Sequence, residues 1–324
     1  MSRRDGCGAC GRVSSFFAGE DVGGTNSKCH GFTGGVRAGG AVLIPHPQIV
    51  LVLWDHYYVT NPLAVSNSTK LITDLVAGRF MNGLTQYGVH RGTLINTIVI
   101  DTNSNNPAPT SWDVSDGNDS KQVLAWIDNG TLMPKPQRTS QGLPPNVLYF
   151  IFMPVATQLT FGTNPDGTSN TNVCGWHSSG ILGDSDNTPV FWALVRTDRA
   201  PRTSEQAFVS SFAFCVSHEL AEALTDAQSP FGFAASNGCE IADICELNPF
   251  PYKGWSIEQY WSNWDASCIN GDQPVSLTKF LKAISFDPVN GLRGLPMLAQ
   301  YGNTISLDYI ADRSFPIFEV TGGD

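Results

Sequence analysis

The stretch FVSSFAFCVSHELAEALTDAQ, residues 208–228, restricts the fold more than any other part of the chain. It is apolar over most of its length and has helical spacing, and Thr203-Ser204-Glu205 stands before it as a cap. Yet it carries His218, Glu219 and Glu222. A helix this apolar belongs in a core, where an uncompensated charge costs several kcal/mol unless it is paired or coordinated. Any fold must therefore cover this helix and also give its polar side chains partners. On a helical period, positions i and i+4 lie one turn apart on one face, so His218 and Glu222 point the same way with Glu219 beside them. Cys215 shares that arc, and Val216, Leu220 and Leu224 fall opposite.

A histidine followed at once by glutamate, with a second ligand-type side chain four residues on, is the geometry of the zinc-hydrolase HExxH helix. Here the second histidine is replaced by Glu222. The plain alternative is a surface His–Glu pair worth about 0.3 kcal/mol. Such a pair normally has polar residues along its whole face, whereas Phe208, Val209, Phe212, Ala213, Phe214 and Cys215 precede this one.

The remaining chain reads as an α/β (α+β) protein. Gln48–Trp54 is a continuous apolar run that predicts a strand buried on both faces, and Thr93–Asp101, Val147–Met153 and Val190–Val195 are expected to be three further strands. A helix is expected from a Ser66-Asn67-Ser68 cap region through Leu71, Ile72, Leu75, Val76 and Phe80 to Leu84. Residues 103–145 read mostly as loop, with a short amphipathic piece around Val123–Ile127, and residues 227–272 show no regular period. The expected division is a flexible Gly/Ser-rich arm over 1–40, a metal-binding domain over 41–272, and an extension over 273–324 that packs on it. That extension is expected to hold a helical piece, LTKFLKAI, and strands at Thr304–Ile310 and Pro316–Val320.

Composition excludes several function classes. A formal charge of −10 with no Lys/Arg cluster argues against nucleic-acid or anionic-membrane partners. No apolar run approaches the roughly 18 residues needed to span a bilayer. Charged residues are only 15%, and the eight cysteines form an even set, which together favour a secreted or extracellular location with disulfides. The start MSRRDGCGACGR has no apolar segment of the signal-peptide kind. Cys7, Cys10, Cys29 and His30 have the residue types of a zinc knuckle but not its spacing. Cys245 with Cys268, and Cys174 with Cys239, are the expected staples, although connectivity does not follow from sequence.

Several motifs in order give the chain a family resemblance. Gly39-Gly40-Ala41-Val42-Leu43 leading into the IVLVLW strand, Gly83–Val89, Cys174-Gly175-Trp176-His177, SHELAEALTD, and Glu240-Ile241-Ala242-Asp243-Ile244-Cys245 together resemble the EXORDIUM / phosphate-induced protein family of plants and its bacterial and fungal relatives. The resemblance covers residues 39–270. It implies an exported protein, cell-wall associated in the plant members, and marks His177, His218, Glu219, Glu222, Glu240 and Asp243.

A catalytic zinc takes three protein ligands and a water, with a carboxylate placed to accept the water's proton. Among the marked positions, His218, Glu222 and Asp243 are the expected ligands and Glu219 the general base. His177 is a candidate fourth ligand or a stabiliser of a tetrahedral intermediate, and Glu240 an outer partner. For Asp243 a turn residue, and for His177 a loop histidine beside a disulfide, remain the ordinary alternatives. One imidazole with two carboxylates is a hard donor set, so zinc is expected with calcium or manganese as alternatives.

The expected fold is thus a zincin-like mixed sheet packed on the motif helix, with a loop-rich, disulfide-bearing region after it. The expected activity is metal-dependent hydrolysis of a peptide or protein substrate. Two rivals stand beside it. One is a non-catalytic extracellular protein with a structural ion. The other is a cell-wall glycan binder using Trp176, Trp255, Trp261, Trp264, Tyr252 and Tyr260 as stacking rings.

Overall fold

Strands buried on both faces need layers above and below, and the apolar runs are arranged that way. The computed structural model describes residues 29, 36–38, 42–103, 107–139, 142–162, 174–197, 204–228, 232–235, 238–246, 248–263, 265–271, 285–287 and 291–293. Its central sheet has five strands: β1 (Gln48–Trp54), β2 (Thr93–Ile100), β3 (Val147–Phe152), β4 (Gly175–Ile181) and β5 (Pro189–Val195). Their order is β2-β1-β3-β5-β4. The first four run parallel, and β4 is an antiparallel edge strand on β5.

Four of these strands match the expected runs to within a residue at each end; β1, β3 and β5 are buried along nearly their whole length, while β2, at the sheet edge, is largely open, with Ile95 39% and Val99 38% exposed. The edge strand β4 was not expected. Its sequence, GWHSSGI, has neither an apolar run nor β-branched enrichment, and it is strand because β5 offers it a hydrogen-bonding edge.

Helices cover both faces. Beneath lie α1 (Pro62–Val76) and α3 (Glu205–Thr225), packed on Ile49, Leu51, Leu53, Leu148, Phe150 and Phe152. Above lies α2 (Asn118–Asp128), whose Val123, Trp126 and Ile127 meet the opposite set, Val50, Val52, Tyr149, Ile151 and Trp192. Alternation along β4 sends Trp176 into the upper core, while His177, paired in register with Ala193, faces α3.

Three local expectations are corrected. After a short helical turn over His56–Thr60, the expected helix starts at Pro62, four residues before its expected cap, because proline's fixed φ suits the first helical position. It stops at Ala77, and a separate 3-10 turn follows over Arg79–Tyr87. The break falls at Gly78, where a Cβ would lie 2.0 Å from Asp74 O and 2.2 Å from Tyr252 Oη. Residues 118–128 form a full helix rather than a piece of loop, held where Trp192 Nε1 donates to buried Asp119 at 3.0 Å.

Among the described residues there are three disulfides: Cys29–Cys239, Cys174–Cys215 and Cys245–Cys268. The expected Cys245–Cys268 staple is there, but Cys174 joins Cys215 rather than Cys239. Cys174, next to the start of β4, lies against α3, with Cα atoms of the pair 5.7 Å apart, while Cys239 is bonded to Cys29 of the N-terminal segment. Cys29 is therefore a disulfide partner and not a knuckle ligand; Cys7, Cys10 and His30 lie outside the described residues. Arg37–Ala38 pairs with Phe233–Ala234, so the end of the expected arm is fastened to the body. Beyond residue 271 the described pieces are a small hairpin, Ser285–Asp287 with Gly291–Arg293. The helix and two strands expected in the extension lie outside the described residues.

Candidate metal centre

The polar face of α3 is where the buried charge collects. Ser204 begins the helix as its cap, its Oγ accepting from Ala207 N at 3.1 Å. Over Glu219–Thr225 every residue is buried. The motif carboxylates therefore take partners from three other elements.

His218 is the hub of the first group. Its Nδ1 donates to Glu258 Oε2 at 2.6 Å, which turns Nε2 toward Glu222 Oε2 at 3.1 Å and Asp243 Oδ1 at 3.6 Å. These three, His218, Glu222 and Asp243, each offer one ligand atom within 4.8 Å of the others. They are the trio expected from the motif and the resemblance. Asp243 arrives on a turn that the backbone ties down: Asp243 N donates to Glu222 Oε1 at 3.2 Å, and Glu240 N donates to Asp243 Oδ2 at 2.9 Å. Cys239 and Cys245, at the two ends of that turn, are both in disulfides.

His177 stands at a second group. Its Nδ1 lies 3.3 Å from Glu219 Oε2 and its Nε2 lies 3.8 Å from Glu240 Oε1. It makes ligand-type groups with Glu219 and Glu222, and with Asp226 and Glu240. Neither of these groups contains His218. Gly175 permits the close approach of strand and helix, since a Cβ there would lie 2.3 Å from Glu219 Cγ.

Six carboxyl groups, Glu219, Glu222, Asp226, Glu240, Asp243 and Glu258, surround two imidazoles, and the electrostatics follow from that imbalance. Burial lowers the affinity of His218 for a proton, but Glu222 and Glu258 outweigh it and hold its pKa well above the ordinary histidine value. Burial opposes His177 likewise, and Glu219, Glu222 and Asp226 raise it. Burial would raise Glu222, yet the positive His218 brings it down to about 2. Glu219 is raised by burial despite His177 and His218. Burial, with the negative Glu222, Asp226 and Asp243, pushes Glu240 well up. Burial carries Glu258 to about 7 against the pull of His218.

Two members of the site were missed from the sequence. Asp226 had a signal, because His218, Glu222 and Asp226 are spaced four apart and continue one stripe to the helix end. Glu258 had none. It sits on the strand Trp255–Glu258, and its N donates to Ser217 Oγ at 2.7 Å, which places its carboxylate under His218. The aromatic rings proposed as a sugar platform are corrected: Trp176, Trp255, Trp261, Tyr252 and Tyr260 are all buried. Buried faces leave no room for a sugar ring to stack, and several of these side chains make structural bonds, such as Trp255 Nε1 to Asp74 Oδ2 at 3.0 Å and Tyr252 Oη to Asp74 O at 3.1 Å. Trp264 lies outside the described residues.

The chain matches no protein-family model and no curated protein. Among the described residues, no helix is long and apolar enough to cross a membrane.

Proposed function

We propose that this chain is an exported, divalent-metal-dependent hydrolase of zincin-like fold, zinc its first-choice ion and a peptide bond its target. The observation that carries the reading is the aim of His218. A carboxylate engages its Nδ1, and its Nε2 is faced by the oxygens of Glu222 and Asp243. Histidine ligands in metal sites commonly have such an outer carboxylate, which sets the tautomer and raises basicity at the other nitrogen. The donor set suits a divalent ion, with His218, Glu222 and Asp243 as ligands, and calcium or manganese as alternatives to zinc.

When bound, such an ion supplies a Lewis acid that acidifies water and polarises a carbonyl oxygen. The residues do the rest. Glu219, buried and raised, accepts the proton of the attacking water and returns it to the leaving amine. Glu258 holds the His218 ring. His177, 3.3 Å from Glu219, orients that carboxylate. The edge strand β4 beside the motif helix supports the zincin-like reading, and the same residues carry the resemblance to the EXORDIUM family. Three disulfides favour an oxidising compartment.

The test is elemental analysis of the purified chain together with cleavage of casein or a peptide library. The reading expects bound zinc, and cleavage that Glu219→Gln abolishes while zinc remains. Equal cleavage by that variant removes Glu219 from the mechanism, and a chain with no affinity for zinc removes the metal. A second reading, an ion that only fastens the 239–245 turn, is favoured by the depth of Glu219, Glu222 and Asp243, all under 5% exposed. Bound zinc with no cleavage by the wild type would select it.

A further inference from the structure

We propose that His177, Asp226 and Glu240 hold a second divalent transition-metal ion beside the one at His218. Ligand atoms of the three residues all lie within 4.8 Å of one another. His177 Nε2 is buried without a hydrogen-bond partner, on a side chain only 5% exposed. Its nearest ion-pair partner on that side, Glu240 Oε1, is 3.8 Å away, too far for a hydrogen bond. Two ligands at about 2.0–2.2 Å from one ion stand roughly 3.0–3.6 Å apart, so a contraction of a few tenths of an ångström seats one between them.

Asp226 adds an independent sign. Its Oδ1 is also buried and without a hydrogen-bond partner. The loop over it is pressed close, since a Cβ on Gly232 would lie 2.0 Å from Asp226 Cβ. Buried polar atoms are seldom left unsatisfied, and here the two residues that carry them belong to one ligand-type group. A cation satisfies both at once. An imidazole among carboxylates suits zinc or manganese better than calcium or magnesium.

Glu222 shares one ligand-type group with His177 and Glu219 and another with His218 and Asp243, so the two histidines are neighbours through it. Paired ions in hydrolases stand about 3.5–4 Å apart and can clamp both the attacking and the departing atoms. This inference deepens the proposed function by making its single ion a pair. It rests on that reading only for the neighbour, because His177, Asp226 and Glu240 are not ligands of the first site.

The experiment uses the full chain, stripped with EDTA, equilibrated with zinc chloride, freed of excess and counted for zinc. Two ions per chain are expected in the wild type and one in each of His177→Ala, Asp226→Asn and His218→Ala. Near-UV circular dichroism confirms that each variant is folded, and Asp226→Asn, which conserves shape, carries the test if His177→Ala does not fold. A wild type with one ion that His177→Ala and Asp226→Asn both retain overturns the second site and leaves the first standing. A single ion lost from all three variants means one shared site and overturns the pair. Loss of one ion in His177→Ala and Asp226→Asn, but none in His218→Ala, keeps the second site and removes the first.

Discussion

Glu258→Gln should make the metal-free protein more stable and its metal binding weaker, and the two effects have one cause. In the folded chain the Glu258 carboxyl is raised from 4.5 to about 7, mainly by burial. A raised carboxylate contributes stability below its unfolded value, and that contribution is lost as pH rises through the folded value. Above about pH 7 the folded protein therefore bears the cost of an ionised, buried Glu258. The difference of about 2.5 units, at about 1.36 kcal/mol each, sets that cost near 3 kcal/mol as an upper figure. Glutamine keeps the volume and an acceptor for His218 Nδ1 but has no charge to desolvate.

The variant should then unfold about 3 kcal/mol harder than the stripped wild type at about pH 8, and equally at about pH 4.5. At the same time the 2.6 Å charge-assisted bond to His218 becomes a neutral one. Metal affinity should fall by about 10- to 100-fold, the usual effect of losing an outer carboxylate. Urea denaturation of EDTA-treated protein at the two pH values measures the first effect, and a zinc-chelator competition titration the second. A stability difference that does not change with pH, or unchanged zinc affinity, would refute the assignment of Glu258 as the buried anchor of His218.

Gly175→Ala should displace Glu219, since the added Cβ lands 2.3 Å from its Cγ; a loss of about 1–3 kcal/mol in denaturation is expected, with cleavage reduced as well. Cys215→Ser opens a loop spanning 41 residues in sequence, for which loop-closure entropy gives about 4 kcal/mol, and non-reducing denaturation midpoints of variant and wild type measure it. Asp74 is partly buried, which alone would raise it, but Lys70, Trp255 and Lys253 lower it below 3.8. Its stabilisation is therefore present above 3.8 and lost as pH falls toward the lower folded value, so Asp74→Asn should flatten the acid limb of the stability profile.

The sequence made particular parts of this molecule readable. Continuous apolar runs announce β1, β3 and β5, which are buried on both faces and need no alternation, and also β2, whose place at the sheet edge leaves it mostly exposed. The edge strand β4 escaped notice because glycine, serine and histidine have no strand pattern, and only the open edge of β5 makes them one. Only the Val123–Ile127 part of helix α2 is legible in its polar sequence, since the helix has no side-chain cap and its buried stripe is short. His218 and Glu222 were legible because helical spacing is a local rule. Asp243 was reached through the resemblance, and the structure brings it to them.

What the chain determines by itself is which side chains share a helix face, since 3.6 residues per turn leaves no choice once the helix forms. Which carboxylate serves which imidazole was decided by tertiary structure alone. Glu258 meets His218 across 40 residues, and His177 meets Glu219 across 42. Those pairings come from the register of β4, the hydrogen bond of Glu258 N to Ser217 and the Cys174–Cys215 disulfide that holds the start of β4 against α3. Contacts of that kind depend on the packing of whole elements, and no local spacing encodes them.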